Sequence, residues 1–413
     1  MTSDTTAAGY PVYPLLTPDD VPGYLRSRGL LPLLGSDSAD GLTVREVSDG
    51  NLNRIFLVRR DPDVPGLAVK QALPYVRVHG ESWPLTPYRA AAEARAYRHL
   101  AALAPEFTPA FHGYDPDTFT LVLEDIGQLR VLRTATVEGA SPGEVGRSVG
   151  LYVARLSFAT SDFGMASQDR KRLIAESVNP ELCELTEAMI LGEAFIEHEH
   201  NRNHPGIDAL AKELRADAEL RREVGVLRHR FMTKAEALLH GDLHSGSIMV
   251  GGPEHGDRVA IIDPEFSFAG PIGFDLGLFW ANAFIAAIRA DVLGDPALAA
   301  EHAAQVRLSW EAFAAEFRRL WPSRVDRIFD DAFLEVFLAE VWRDGLGFAG
   351  GEAMRRVIGY AHVPDVDSLP DPEQARAAAR VARLSRDLIV RRADLAGPGA
   401  VIALALGDGV TSG

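Results

Sequence analysis

Three acidic side chains within one short stretch are spaced for chemistry on phosphate. Asp242 sits in H-G-D-L-H-S-G-S-I-M-V, and Asp263 and Glu265 sit in I-D-P-E-F after the apolar residues 259–262. One acid is thereby set apart from a pair spaced i, i+2. Phosphoryl transfer needs that division: one carboxylate to orient an attacking hydroxyl, others to hold magnesium on the phosphates. Magnesium keeps several of its waters and takes few carboxylates, so two acids suffice. H-G-D alone reads equally well as an acidic turn. The D-x-E that follows an apolar strand moves the reading to phosphoryl transfer.

Other elements must place a nucleotide against those acids. Residues 42–59 alternate apolar and polar around Asp49-Gly50-Asn51, which predicts two strands joined by a turn. It is not a Walker A loop and lacks G-x-G-x-x-G. The strand L-A-V-K-Q-A carries Lys70. A lone strand lysine is ordinarily a solvated edge residue. Its place after the turn, at kinase-like spacing, assigns Lys70 to the phosphates of ATP. An Ala-rich helix is predicted over 86–103, with Tyr97, Leu100 and Leu103 on one side. Within it Glu93 is the expected partner of Lys70, with Glu81, Arg89 and Arg95 as rival charged positions.

H-G-D with a downstream D-x-E resembles the kinase-like small-molecule phosphotransferases, where protein kinases carry H-R-D and D-F-G. The strings H-G-D-L-H-S-G-S-I, I-D-P-E-F-S-F-A-G-P-I-G-F-D, K-Q-A-L-P-Y, G-E-S-W-P-L, N-P-E-L-C and R-R-V-I-G resemble the S-methyl-5-thioribose kinase family. The likeness runs from D-G-N-L-N at 49–53 to A-H-V at 361–363, and Q-L-R-V-L-R at 128–133 departs from it. It implies an α+β, two-lobed protein-kinase-like fold. Residues 1–127 would form the ATP-binding N-terminal lobe, and 128–413 a helical C-terminal lobe with the catalytic loop, metal loop and acceptor site. It implies ATP and Mg2+ as cofactors, and transfer of the γ-phosphoryl to the 1-hydroxyl of 5-methylthioribose in methionine salvage.

The same resemblance assigns further residues. Gly50, Asn51 and Asn53 belong to the loop over ATP. Glu124, Asp125 and Ile126 form the segment beside adenine. Trp83 lies in a loop that closes near the acceptor, and Asp242, Arg355 and Arg356 act on the acceptor and the moving phosphate. By type alone, Arg355 and Arg356 would face solvent, Trp83 would pack under the next helix, and Glu124 would end an ordinary strand. Ser247 stands where protein kinases have a metal-binding Asn, so metal holding leans on Asp263 and Glu265. His240 is expected to brace the loop backbone and Asp275 to anchor it. Rival readings are a kinase for another sugar or an aminoglycoside, and an inactive nucleotide-binding module.

Composition sets bounds on all of this. The 413 residues are 47% apolar and 24% charged, enough for a sizeable core. A net charge of −16 speaks against a nucleic-acid partner. One cysteine, Cys183, excludes a disulfide framework, fits a reduced cytoplasmic setting and reads as a packing residue. The first residues lack a signal peptide's pattern, and no run of 18 apolar residues predicts a membrane span. A homodimer is implied by resemblance only. Residues 1–14 read as an arm, and Thr17 as the N-cap of a helix to about Arg28. Asp162-Phe163-Gly164 precedes H-G-D and follows a helix, so it is not a metal loop. His198, His200 and His204, with Glu197 and Glu199, read as a solvated loop rather than a metal site.

Overall fold

β-Branched and aromatic residues at alternate positions build an antiparallel sheet in the first third of the chain. The computed structural model describes residues 5, 9–47, 52–61, 65–77, 80–255 and 257–407. After helix α1 (Val21–Ser27) come β1 (Thr43–Val47), β2 (Asn53–Arg59) and β3 (Leu67–Ala72), then α2 (Arg89–Leu103), β4 (Phe111–Asp115) and β5 (Thr120–Glu124). The five strands run in the order β1-β2-β3-β5-β4, every neighbour antiparallel. Phe56, Val58, Val69 and Val122 of the sheet are buried with Val21 and Leu25 of α1.

Two helix starts differ from expectation. Thr17 does not cap α1. Its N–H and Oγ1 donate to Asp20 Oδ2 in a turn, and the helix begins at Val21. The second helix begins at Arg89, because residues 86–88 form a turn in which Thr86 Oγ1 accepts from the Tyr88 N–H. The predicted arm is docked at its end, where the Tyr13 hydroxyl donates to the Ala72 carbonyl at 2.7 Å.

From residue 130 the chain is mainly helical. β6 (Arg130–Val131) leads into α3 (Leu132–Val137), α4 (Val145–Thr160), α5 (Ser167–Glu176), α6 (Pro180–Met189), α7 (Asp208–Ala216) and α8 (Ala218–Thr233). Then come β7 (Ala237–Leu238), β8 (Ile248–Val250), β9 (Val259–Ile261) and β10 (Ala269–Gly270). The chain closes with α9 (Gly273–Val292), α10 (Pro296–Leu320), α11 (Asp331–Ile358), α12 (Pro364–Asp367), α13 (Asp371–Val390) and α14 (Pro398–Leu406). α9 is apolar on all sides and buried nearly throughout, as a helix at the centre of a helical unit must be. No helix among the described residues is long and apolar enough to cross a membrane. Asp162 and Gly164 flank Phe163 in a loop after α4, and the Phe163 ring packs on Phe317, Trp321, Phe329 and Phe337.

Two compact units result: 1–129 with 262–266, and 130–261 with 267–413. The expected division at 127 falls two residues later. The expected metal loop, placed in advance with the C-terminal lobe, belongs to the first unit, because its acids are bonded to Lys70, Arg89 and Asn53 there.

α4 and α10 touch through glycine. A Cβ on Gly150 would collide with the Ser309 carbonyl and with Ala312. Gly150→Ala is expected to lower stability by about 1–3 kcal/mol through overpacking. Gly225, in α8, has open space around it. Gly225→Ala should therefore raise stability by roughly 0.5–1 kcal/mol through helix propensity. Urea midpoints of the two variants should move in opposite directions.

Candidate active site

The first unit gathers charged groups beneath its sheet. Lys70 projects from β3, is 3% exposed, and donates to Glu93 Oε1 of α2 at 2.8 Å. It donates also to Asp263 Oδ1. Burial works against the Lys70 charge, but Asp263, Glu93 and Glu265 outweigh it and hold the ammonium protonated. Burial pushes the Glu93 carboxyl up against the pull of Lys70. Arg89, a rival for the place of Glu93, has another task. Its Nε donates to Glu265 Oε2 at 2.9 Å and its other nitrogens to the carbonyls of Leu52, Leu73 and Thr86.

Asn53 differs from its expected role. Its Nδ2 donates to Glu265 Oε2 at 3.1 Å, and its Oδ1 accepts from Arg89 at 3.2 Å. The amide, expected in the loop over ATP, braces the acid loop. Gly50 and Asn51 lie outside the described residues.

Asp263 has a left-handed backbone, φ 62°, a region Asp enters at less cost than most residues. Its side chain stays 40% exposed while Glu265 is buried. These are hard oxygen donors on one turn. In this cluster Lys70 bonds Glu93 and Asp263, and Arg89 bonds Glu265. The paired oxygen donors of Asp263 and Glu265 fit a divalent cation such as magnesium.

At the end of β5, the Glu124 N–H donates to the Ala110 carbonyl at 2.9 Å and Asp125 N–H to that of Gly66 at 2.9 Å. The Asp125 side chain is engaged as well. Oδ2 accepts from Arg59, and Oδ1 from the Gly127 N–H at 2.7 Å. Asp125 thus fixes the turn, with Ile126 buried beside it. Trp83 is half-buried in a loop where the Val76 N–H donates to the Trp83 carbonyl at 3.0 Å.

The second unit holds the H-G-D loop. Asp275 of α9 accepts from the His240 N–H at 2.7 Å and the Gly241 N–H at 2.9 Å. Gly241 has φ 84°, which a side chain would strain. His240 is fully buried, and its Nδ1 accepts from the Asp242 N–H at 3.2 Å. The Ser247 hydroxyl donates to the Asp242 carbonyl at 3.0 Å. Position 247 therefore closes the loop where a metal ligand would stand in protein kinases. Burial raises the Asp242 carboxyl from 3.8 to about 6; Arg355 and Arg356 pull it down, and Glu352 pushes it up.

Arg355 and Arg356 are buried near the end of α11, not on a solvated face. Glu352, one turn earlier, makes that tolerable. It accepts from Arg355 Nε at 2.5 Å and Arg356 Nε at 2.7 Å. Burial opposes its charge, but the two arginines win and lower its carboxyl to about 2. Sequence reasoning missed Glu352, although its i, i+3 and i, i+4 spacing to the pair was a usable signal. It missed Arg133 also. This α3 side chain donates to Ser245 Oγ at 3.2 Å and Asn282 Oδ1 at 3.1 Å, and its charge acts on Asp242 and Arg356. Arg133 ends the string Q-L-R-V-L-R, where no family pattern pointed to it.

Away from this loop, Glu193, His198 and His200 do come together. His200 Nδ1 is 3.0 Å and His198 Nδ1 3.5 Å from Glu193 Oε2. The His200 contact is an ordinary hydrogen bond, and His198 Nδ1 accepts from the His200 N–H. His204 is apart, capping Gly206 and meeting Asp371. Burial pushes the Cys183 thiol up to about 12, so it is a poor nucleophile.

A family model described as the phosphotransferase enzyme family matches residues 43–315. Methylthioribose kinase from Geobacillus kaustophilus is 39% identical over 355 residues, 85% of this chain and 87% of that protein. Methylthioribose kinase from Pectobacterium atrosepticum is 37% identical over 404 residues, 95% of this chain and 98% of that one. Among solved structures, a glucosamine kinase in complex with glucosamine, ADP and inorganic phosphate aligns at a TM-score of 0.44. It has 16% identity and covers 91% of this chain and 89% of its own.

Proposed function

We propose a division of labour among named residues, from the premise that this chain belongs to the methylthioribose kinase family of phosphotransferase enzymes. The chain is an ATP-dependent sugar kinase, and its reaction moves the γ-phosphoryl of ATP to the 1-hydroxyl of 5-methylthioribose in methionine salvage. The observation that carries the residue assignment is Asp242, on a loop pinned by Asp275, under the charge of Arg355 and Arg356. Its carboxylate orients the acceptor hydroxyl and takes its proton as the oxygen–phosphorus bond forms. Arg355 and Arg356 hold the acceptor and the phosphoryl group, a task suited to forks that stay charged. Arg133 adds positive charge to the same half.

Lys70, kept charged and oriented by Glu93, draws the ATP phosphates. The backbone at Glu124 and Ile126 takes the adenine edge, with Asp125 holding the turn. Gly50 and Asn51 cover the phosphates, and Asn53 braces the acids. Asp263 and Glu265 hold Mg2+, which when bound neutralises charge on the phosphates. Trp83 is assigned to the acceptor through its loop, on resemblance. A cytoplasmic setting is supported by the single unreactive thiol, and a homodimer by resemblance alone.

The test is ADP release with magnesium-ATP and 5-methylthioribose, beside ribose and kanamycin. Turnover on 5-methylthioribose alone is expected, and turnover only on another acceptor would overturn the substrate. The pH profile follows from Asp242, which must be ionised to accept a proton. Its carboxyl is raised to about 6, so kcat/KM should fall roughly tenfold per unit below that pH. An ordinary carboxylate would leave the rate flat to about pH 4.

A further inference from the structure

His244, two residues after the proposed base, has one nitrogen in a role that fixes the state of the other. Its Nδ1 accepts from the Gly246 backbone N–H at 3.0 Å. A backbone N–H can only donate, so Nδ1 carries no proton. Burial disfavours the imidazolium, and Arg133, Arg356 and Arg355 disfavour it further, so the ring is neutral. A neutral imidazole with an unprotonated Nδ1 carries its hydrogen on Nε2. That Nε2 stands 3.4 Å from Asp242 Oδ2. The ring is itself held, with its side chain 16% exposed and the neighbouring Leu243 fully buried.

We propose that His244 is a positioning residue for Asp242: its Nε2–H engages Oδ2 and so presents the other carboxylate oxygen to the acceptor hydroxyl. The interaction is neutral donor to charged acceptor and needs no proton to move between the two side chains. Contacts of this kind are long before substrate binds and shorten in the reacting complex. The inference rests on the reading of Asp242 as the base.

A plain structural role would use only Nδ1, as the cap of the turn at residues 245–247. Two amides separate the roles. Asn places an oxygen near Nδ1 and nothing at Nε2, so His244→Asn keeps the cap and loses the donor. Gln places an N–H near Nε2, so His244→Gln keeps the donor and gives up the cap. Steady-state kinetics on the full chain, with Asp242→Asn alongside, are expected to rank them. His244→Asn should lose roughly 10- to 100-fold in kcat with KM for ATP unchanged, as when a group that orients a reactive ligand is removed. His244→Gln should recover at least tenfold of that loss. The reverse order, with His244→Asn like wild type and His244→Gln impaired, would reduce His244 to a turn cap and overturn the proposal. Equal impairment of both would overturn it as well. Full turnover in Asp242→Asn would instead sink the base assignment, which marks that failure apart from this one.

Discussion

Asp242→Asn is expected to lower kcat by roughly 10²- to 10⁴-fold, the usual span for loss of a positioned base. The amide keeps the size of the side chain but cannot take the hydroxyl proton. It also removes the negative charge that faces Arg355, Arg356 and Arg133. The loop should survive, because its pins are elsewhere: Asp275 holds the backbone of His240 and Gly241, and Ser247 holds the carbonyl of residue 242. KM for ATP should stay put, since Lys70, Glu93 and the acid pair are untouched. Single-turnover measurements separate this from slow product release. A kcat near wild type would remove Asp242 from the chemistry.

Arg356→Met should cost roughly 10²- to 10³-fold in kcat, comparable to deleting one donor that faces charge developing in a transition state. Arg356→Lys should restore little. In the native arrangement Nε reaches Glu352 and Nη1 reaches the Ala361 carbonyl at 3.1 Å, so one planar fork does several jobs at fixed angles. An ammonium is a single point and cannot span them. Burial and the neighbouring Arg355 lower the Arg356 guanidinium to about 10, so it remains charged at neutral pH. Glu352 keeps Arg355 in the Met variant, which limits the damage to the fold. A thermal melt run beside the kinetics would show that directly. Unchanged kcat in Arg356→Met would place this arginine outside the reacting groups.

The sequence was most informative where chemistry demands a residue type at a fixed offset. H-G-D, D-x-E and the strand lysine stood out because phosphoryl transfer restricts the residue types at such offsets; the structure pairs Lys70 with Glu93 and Asp263 and pins the H-G-D loop on Asp275, and the surrounding strings marked the family. Asp275 was readable for a related reason, since an acid just inside a helix after a tight loop has few other tasks. Less local facts were out of reach. Asn53 and Arg89 are joined to Glu265 across more than a hundred residues, and no spacing rule carries a contact over that distance. Arg133 was hidden because an exposed and a half-buried arginine look alike in one sequence. The meeting of Glu193 with His198 and His200 depended on how a loop folds back on itself. Helix starts at Thr17 and Thr86 misled because Thr-Pro also begins turns, and there the hydroxyl was used by the turn.

The loop at 262–266 has a consequence for synthesis of the chain on the ribosome. The first unit is written in two pieces, and the second piece emerges more than 130 residues after the first. Until then Arg89, fully buried in the finished unit, lacks the Glu265 carboxylate that its Nε meets. A guanidinium enclosed without its acid is strongly disfavoured. The N-terminal 129 residues should therefore stay open, or hold α2 loosely, until the later segment arrives. A fragment cut at residue 129 should express as an unstable species, and a peptide spanning the D-x-E turn, supplied in trans or fused by a short linker, is the piece that would complete it.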